Sequence, residues 1–284
     1  METITTREQQ EIERANASGL QPIVFVHGLW LLASSWDPWR AFFEERGYIT
    51  LAPGWPDDPE TVVNAKDDPE AFANKRIKQV VDHFSHVISQ LKQKPMIIGH
   101  SFGGLFAQQL ADRELSAATV AIDPAGFRGV LPLPLTELKS GSPVLSNPVN
   151  YHRSVALTFE QFHYGFTNEL DETEARQLYE KFAVPGPGTP LFQAAAANLN
   201  PWTEDKVNTK NPERGPLLLI AGEKDHTVPA VVVKAAYKLQ QASPAVTEFR
   251  EIPGRGHSLI IDHGWPEVAE IALAFVRQHK QITL

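Results

Sequence analysis

The chain carries at positions 95–104 the stretch Pro95-Met96-Ile97-Ile98-Gly99-His100-Ser101-Phe102-Gly103-Gly104. Its apolar residues 96–98 are typical of a buried strand, and apolar residues recur at helical spacing after Gly103. A serine in the pattern Gly-x-Ser-x-Gly, between a strand and a helix, lies in a sharp turn that exposes its hydroxyl group. The two glycines are required because a side chain at either position would collide with neighbouring backbone. The stretch therefore predicts that Ser101 is a nucleophile at the edge of a sheet.

Two later stretches supply partners for this serine. A serine hydroxyl is a weak nucleophile at neutral pH, so it needs a base in contact and a third group that orients the base. Residues 217–229 run from an apolar strand into a loop that carries Asp225, and residues 249–258 run from an alternating strand into a loop that carries His257. The order Ser, Asp, His agrees with one known arrangement of such triads. Because ligand sites form at the carboxyl ends of parallel strands, we predict that Ser101, Asp225 and His257 meet there.

Alternatives exist for both partners. Asp123 also ends a predicted strand, over residues 119–123, and could orient the same imidazole. We favour Asp225 because its strand lies nearer to His257 in the sequence.

For the base, His226 and His263 lie in the same loops, but we expect His226 to shape its own turn or face solvent and His263 to precede the last helix. We expect His100, inside the turn, to pack in the interior. His83 and His86 lie on a predicted helix, and we interpret them as surface or boundary residues.

Acyl transfer also needs donors for a developing oxyanion, and backbone N–H groups are the usual ones. The first candidate is the amide of Phe102, which follows the predicted nucleophile. The second is the amide of Leu29, because the strand Pro22–Val26 ends in His27-Gly28 and the glycine lets the chain turn toward Ser101. We interpret His27 as a hydrogen-bonded structural residue.

Composition and charge exclude several functions. The chain has 284 residues, of which 42% are hydrophobic, a formal net charge of −8 and no cysteine. It therefore provides no basic stripe for nucleic acid, no disulfide and no thiolate nucleophile. No segment resembles a secretion signal or a bilayer-spanning run, so we expect a cytoplasmic protein that does not bind membranes. We also expect a small-molecule substrate, no metal or organic cofactor, and a monomer or homodimer.

Strand and helix patterns alternate along most of the chain. This alternation predicts an α/β fold with a mostly parallel sheet and helices on both faces. One helix is expected over roughly residues 70–92, whereas residues 1–20 are polar and weakly patterned. The alternation stops over residues 124–212, so we expect a core of residues 1–123 and 213–284 and an inserted helical cap between them.

The predicted cap starts with a proline-rich stretch that we expect to be irregular, and helical spacing follows over residues 158–168, 172–182 and 189–198. Aromatic residues at such spacing mostly pack inward. We nevertheless predict substrate contacts for Phe162 and Phe166, and for Trp30 beside the oxyanion loop, with Trp55 as a weaker candidate.

These motifs together resemble the α/β-hydrolase superfamily, in particular its capped esterases and haloperoxidase-like members, and the chain is also similar to actinobacterial α/β hydrolases. The resemblance covers residues 20–280 and implies the fold and the Ser-Asp-His mechanism more firmly than the substrate. Dehalogenase and epoxide hydrolase chemistry is disfavoured, because both need a carboxylate at position 101. The family usually opens with a β-hairpin before the His-Gly strand, and the polar residues 1–20 suggest that this chain lacks it.

The sequence thus predicts a serine hydrolase that cleaves carboxylic esters with small to medium apolar acyl groups. A lactonase, an amidase or a C–C bond hydrolase would use the same triad. A ligand-binding receptor could retain the triad on the same fold, and the fold alone does not separate these classes.

Overall fold

The computed structural model describes residues 3–279, and its centre is a sheet of six parallel strands. In spatial order these are β2 (Ile49–Leu51), β1 (Pro22–Val26), β3 (Met96–His100), β4 (Thr119–Ile122), β7 (Leu217–Gly222) and β8 (Thr247–Ile252). The inner strands are buried along their whole length, which agrees with their continuous apolar sequences. All six carboxyl ends therefore meet at one edge, and the predicted α/β class is confirmed.

Helices between the strands cover the sheet. They are α2 (Asp37–Glu44), α4 (Ile77–Ser89), α5 (Phe102–Asp112), α10 (Ala230–Gln240) and α11 (Trp265–Gln278), which follows the last strand. The short helix α3 (Val62–Asp67) packs instead on the 3-10 turn Pro69–Phe72. Helix α5 packs on β3 and β4, and α10 packs on β7 and β8. The helix expected over residues 70–92 is shorter in the structure, because the 3-10 turn Pro69–Phe72 ends before α4 begins. None of the helices in residues 3–279 is long and apolar enough to cross a bilayer.

The N-terminal segment forms a helix, α1 (Thr6–Ser18), and no strand precedes β1 in the described part of the chain. Helix α1 packs along the edge strand β2. Three of its side chains bond the open backbone edge: Arg14 donates to the carbonyl of Thr50 (2.7 Å), Arg7 to that of Ala52 (3.0 Å), and Glu11 accepts from the Ala52 amide (3.1 Å). The helix thus satisfies polar groups that a further strand would otherwise pair.

Helix α1 also explains a histidine that the sequence placed at the surface. His83 on α4 is buried, and its Nε2 lies 2.9 Å from Oε1 of Glu8, which is buried as well. The surface or boundary position expected for His83 is therefore wrong, because α1 covers this face of α4.

Residues 124–212 contain the remaining elements: helices α6 (Leu135–Leu145), α7 (Phe159–Gly165), α8 (Glu172–Phe182) and α9 (Gly188–Ala195), and the short antiparallel pair β5 (Ser154–Val155) and β6 (Gly186–Pro187). Helices α7, α8 and α9 lie close to the three ranges in which helical spacing was predicted. Helix α6 lies in the stretch expected to be irregular. Its prolines explain the difference, since Pro132 and Pro134 precede the helix and only Pro143 falls inside it.

Candidate active site

Ser101 lies between β3 and α5 in a strained turn. Its φ and ψ are 57° and −123°, a region that residues other than glycine rarely adopt. The flanking glycines make the turn possible: a Cβ on Gly99 would lie 2.1 Å from the carbonyl oxygen of Gly103, and a Cβ on Gly103 would lie 2.1 Å from that of Val26. The Ser101 amide donates to the Ile122 carbonyl (2.9 Å), which ties the turn to β4. The local geometry is that of a nucleophile elbow.

Asp225 and His257 are brought together by the ends of β7 and β8. Oδ2 of Asp225 lies 2.6 Å from Nδ1 of His257, and both side chains are buried. The second carboxylate oxygen, Oδ1, accepts from the amides of Thr227 (2.6 Å) and Val228 (2.8 Å), which fixes the orientation of the carboxylate. The other ring nitrogen, His257 Nε2, has no hydrogen-bond partner among the described residues. A histidine held at Nδ1 and free at Nε2 is arranged to take up a proton there.

Asp123 lies close to the same pair but in another role. Its Oδ2 is 4.0 Å from His257 Nδ1, too far for a hydrogen bond, whereas its Oδ1 accepts from the Gly222 amide (2.7 Å). Burial, and then the charge on Asp225, raises the pKa of Asp123 well above its usual value. Asp225 is therefore the carboxylate in contact with the imidazole, while its preference over Asp123 as the catalytic acid stays a prediction.

The remaining histidines near the site are engaged elsewhere. His100 Nε2 lies 2.9 Å from the His257 carbonyl oxygen, and burial, followed by His257, lowers the pKa of His100 well below its usual value. His226 Nδ1 lies 3.0 Å from the Tyr164 carbonyl oxygen. His263 is exposed and lies 2.8 Å from a carboxylate oxygen of Glu174. His100, Asp123 and His257 together place three atoms of the metal-ligand type within 4.8 Å of one another. The expectation that the protein needs no metal or organic cofactor therefore stays a prediction.

The loop after β1 approaches Ser101 closely. A Cβ on Gly28 would lie 2.7 Å from the Ser101 Cβ, so the following residue, Leu29, starts next to the nucleophile. Phe102 is the first residue of α5, and its amide N–H has no acceptor within that helix. The N-terminus of a helix also carries a partial positive charge. Both predicted oxyanion donors therefore lie beside Ser101.

Buried polar contacts hold the oxyanion loop from behind. The indole N–H of Trp55 donates to the His27 carbonyl (3.1 Å), and the two rings stack. His27 Nε2 lies 3.1 Å from Oδ2 of Asp58, whose other oxygen pairs with Lys75 (3.0 Å). These contacts agree with a structural role for His27, and they place Trp55 behind the loop.

The loop that carries His257 has a support that the sequence analysis missed. Asp262, which is buried, accepts a hydrogen bond from Ser258 Oγ (2.8 Å) and forms an ion pair with the partly buried Arg255. The residues lie within one short loop, but only the folded loop turns their side chains toward each other. Their contacts fix the backbone on both sides of His257.

A cavity of about 370 Å³ opens beside Ser101, and its wall is mostly apolar. Trp30 belongs to this wall, and its indole N–H donates to the Val155 carbonyl (3.0 Å), which ties β5 to the oxyanion loop. Most of the other wall residues were not predicted from the sequence, and they come largely from residues 124–212. They include Leu131, Leu133, Glu137, Leu138, Leu145, Leu191 and Leu199. The alternating Leu-Pro sequence of residues 131–135 was the available signal.

Phe162 and Phe166 lie elsewhere. Phe166 contacts the His257 ring edge-on, with 4.9 Å between ring centroids, and Phe162 stacks behind Phe166 at 4.8 Å. Neither phenylalanine is among the residues that line the cavity. The structure thus gives them a position against the imidazole, while their predicted contact with substrate stays a prediction.

A parallel sheet with a strained serine turn at the end of a central strand defines a class of α/β proteins that carry a nucleophile elbow. The sequence model of the alpha/beta hydrolase family matches residues 23–271, and the chain belongs to this family. The resemblance inferred from the motifs is thereby confirmed.

Solved structures agree with this assignment. The chain is similar to the monoacylglycerol lipase of Paleococcus ferrophilus, with 17% identity and a TM-score of 0.61 over 91% of this chain and 95% of that chain. It is similar to a pyrethroid hydrolase of Sphingobium faniae, with 17% identity and a TM-score of 0.63 over 90% and 97%. A Mycobacterium tuberculosis protein described as a non-heme bromoperoxidase gives 18% identity and a TM-score of 0.64 over 92% and 93%. At these identities the similarity shows the fold alone. No curated protein matches the chain in sequence.

Proposed function

We propose that the chain is a serine hydrolase that cleaves carboxylic esters. The observation that carries the proposal is the buried 2.6 Å contact between Asp225 and His257 at the sheet edge that also holds the strained Ser101. A neutral imidazole held in one tautomer by a carboxylate is the base that a serine nucleophile needs. The cavity beside Ser101 supplies an apolar site for the acyl group.

In the proposed mechanism, Ser101 Oγ attacks the ester carbonyl carbon while its proton passes to Nε2 of His257. Asp225 stabilises the imidazolium that forms. The amides of Leu29 and Phe102 donate to the oxyanion of the tetrahedral intermediate. The intermediate collapses when His257 returns the proton to the leaving alcohol, and an acyl-serine remains. Water, deprotonated by His257, then attacks the acyl-serine and releases the acid.

The size and lining of the cavity favour small to medium apolar acyl groups. A volume of about 370 Å³ is at the small end of the range typical of ligand pockets. The wall offers leucine and alanine side chains, so the acyl chain gains binding free energy by leaving water.

The test combines labelling with a substrate panel. A fluorophosphonate should label the wild-type chain at Ser101, located by peptide mass spectrometry, and Ser101→Ala should remove the label and lower kcat for an activated ester by about 10³-fold or more. Ser89 is an exposed serine on α4, so Ser89→Ala is the matched control, and it should keep both the label and the activity.

The panel of esters, lactones and amides separates the alternatives. Fast turnover of esters supports the proposal, and a higher kcat/KM for lactones or amides would replace it. A burst of one equivalent followed by very slow turnover would indicate a ligand-binding receptor. Labelling of another residue, or near-native activity of Ser101→Ala, would overturn the mechanism.

A further inference from the structure

Glu137 is the one ionisable residue in the cavity wall in the part of the chain that the structure describes. It lies in the first turn of α6, and its Oε2 is buried without a hydrogen-bond partner among those residues. Burial, and then the negative charge of Asp225, raises the pKa of Glu137 to about 7. A buried carboxyl oxygen without a donor is unfavourable. A ligand in the cavity that supplied a donor would remove that cost.

The usual structural role of a glutamate at this helix position is not available. A glutamate at the third helical position commonly accepts from the backbone N–H of the N-cap residue. The N-cap of α6 is Pro134, which has no N–H. The neighbouring cation, Lys139, does not neutralise Glu137 either, because its ammonium lies over the ring of Tyr164, 3.9 Å from the centroid.

The other polar side chains of the wall have protein partners. Thr227 Oγ1 donates to a backbone carbonyl (2.8 Å), and Ser140 Oγ lies 2.7 Å from Thr227 Oγ1. Asn198 bonds two backbone groups, each at 2.8 Å. Among the side chains of this wall, Ser101 and Glu137 are therefore the two polar ones without a protein partner among the described residues: Ser101 is the proposed nucleophile, and Glu137 is an acceptor.

We propose that Glu137 is a specificity-determining residue that binds a hydrogen-bond donor of the substrate. The preferred substrates are esters that carry a hydroxyl or amino group, in addition to the scissile ester, on an otherwise apolar chain. This inference rests on the proposed ester hydrolysis at Ser101. An uncharged donor suits either protonation state of Glu137, whereas an ammonium group requires the carboxylate.

The experiment compares substrates that differ only in the donor. One series has umbelliferyl esters of heptanoate, ω-hydroxyhexanoate and ω-aminohexanoate, which place a methyl, hydroxyl or ammonium group at the end of the acyl chain. The second series compares propyl hexanoate with the hexanoate monoester of glycerol, which places hydroxyls on the alcohol side. For each pair, kcat/KM is measured for the wild type, Glu137→Gln and Glu137→Leu. Glu180→Leu, the same change at an exposed position of α8, is the control.

We expect the wild type to prefer at least one donor-bearing ester over its methyl partner by about 10-fold or more, and Glu180→Leu to keep that preference. Glu137→Leu should abolish it while still hydrolysing the methyl partner. Glu137→Gln should keep a hydroxyl preference, since its amide oxygen still accepts, but lose an ammonium preference. The two variants thus distinguish the two kinds of donor.

Equal kcat/KM within every wild-type pair, or an unchanged preference in Glu137→Leu, would overturn the inference and leave ester hydrolysis standing. If no ester were hydrolysed, the proposed function would fail, and the same pairs would then be compared by calorimetric binding to Ser101→Ala. Equal affinities within each pair would overturn the proposed role of Glu137, independently of whether the protein hydrolyses esters.

Discussion

The turn at Ser101 and the exposed leucines of the cavity wall, Leu131, Leu133 and Leu199, which we call the mouth, belong to the same site but differ in how tightly they are packed. At the turn, backbone packs on backbone so closely that Gly103 has no room for one carbon atom against Val26. At the mouth, Leu131, Leu133 and Leu199 are 77%, 62% and 88% exposed. Side chains at the mouth therefore have few neighbours to constrain them.

This difference in packing suggests that the catalytic residues and the residues that select the substrate tolerate substitution differently. A substitution in the turn disturbs several strands at once, because interiors pack densely and relax little. A substitution at an exposed leucine costs little folding free energy, since surface changes are usually nearly neutral. We expect catalytic power to depend on the core and substrate choice to depend on residues 124–212.

The largest effect should come from the acid behind His257. Asp225→Asn should lower kcat for an activated ester by about 10³- to 10⁴-fold, because the imidazole loses the group that fixes its tautomer. Asp123→Asn should change kcat by less than about 10-fold, since Asp123 makes no hydrogen bond to His257 and an amide oxygen can still accept from the Gly222 amide. Both variants are assayed after circular dichroism has shown that they fold. The opposite ranking would move the catalytic acid to the end of β4.

A smaller effect should appear at Asp205, in the segment that precedes β7. Asp205 is fully buried, neither carboxyl oxygen has a partner among the described residues, and burial raises its pKa to about 8. Gln109 on α5 bonds the carbonyls of Glu204 and Lys206 on either side of it. The folded state therefore keeps a proton that the unfolded state loses above about pH 4.

The contribution of Asp205 to the free energy of unfolding should thus decrease as the pH rises from about 4 to about 8, the window between its unfolded and folded pKa values. Asp205→Asn, which cannot ionise, should gain in Tm relative to the wild type by about 2–4 °C per pH unit across that window. Calorimetry at several pH values gives the difference, in which the other titrating groups cancel. A Tm difference that is independent of pH would contradict the assignment, whatever its size.

The smallest effect should come from the mouth. Leu133→Ala should change the ratio of kcat/KM between long and short acyl esters by about 3- to 10-fold, because it removes apolar wall. Leu135→Ala is the matched control, since Leu135 is 82% exposed and does not line the cavity. Phe162→Ala should lower kcat/KM for all chain lengths in parallel, because Phe162 packs behind Phe166. A length shift in Phe162→Ala and none in Leu133→Ala would mean that the phenylalanines form the acyl wall.

Local patterns were enough to predict the parts of the site that backbone geometry controls. The turn at Ser101 follows from glycines two residues away on each side, and Asp225 and His257 follow from the rule that strand ends meet at one edge. Sequence distance is a weak reason to choose Asp225 over Asp123 as the catalytic acid, and that choice stays a prediction. The structural reason for it is the distance of 2.6 Å against 4.0 Å to His257 Nδ1.

The rest depended on contacts between segments that are distant in sequence. The Leu-Pro stretch gave no strong periodicity, so neither α6 nor the direction of Glu137 was predicted. The sequence also gave no sign that Asp205 or His83 would be buried, because each is buried by an element far along the chain. Aromatic residues drew attention to Phe162 and Phe166, whereas aliphatic side chains supply most of the wall.

The N-terminal helix has a consequence for how the protein behaves in solution. An uncovered edge strand offers unpaired N–H and C=O groups to any other strand, and so promotes association between molecules. Side chains of Arg7, Glu11 and Arg14 bond such groups on β2 and on the residue after it, Ala52, and side chains cannot be extended into a further sheet. A chain that began after Gly19 would keep every residue of the candidate site and still be prone to aggregate. We therefore expect the first helix to limit association between molecules at this edge of the sheet.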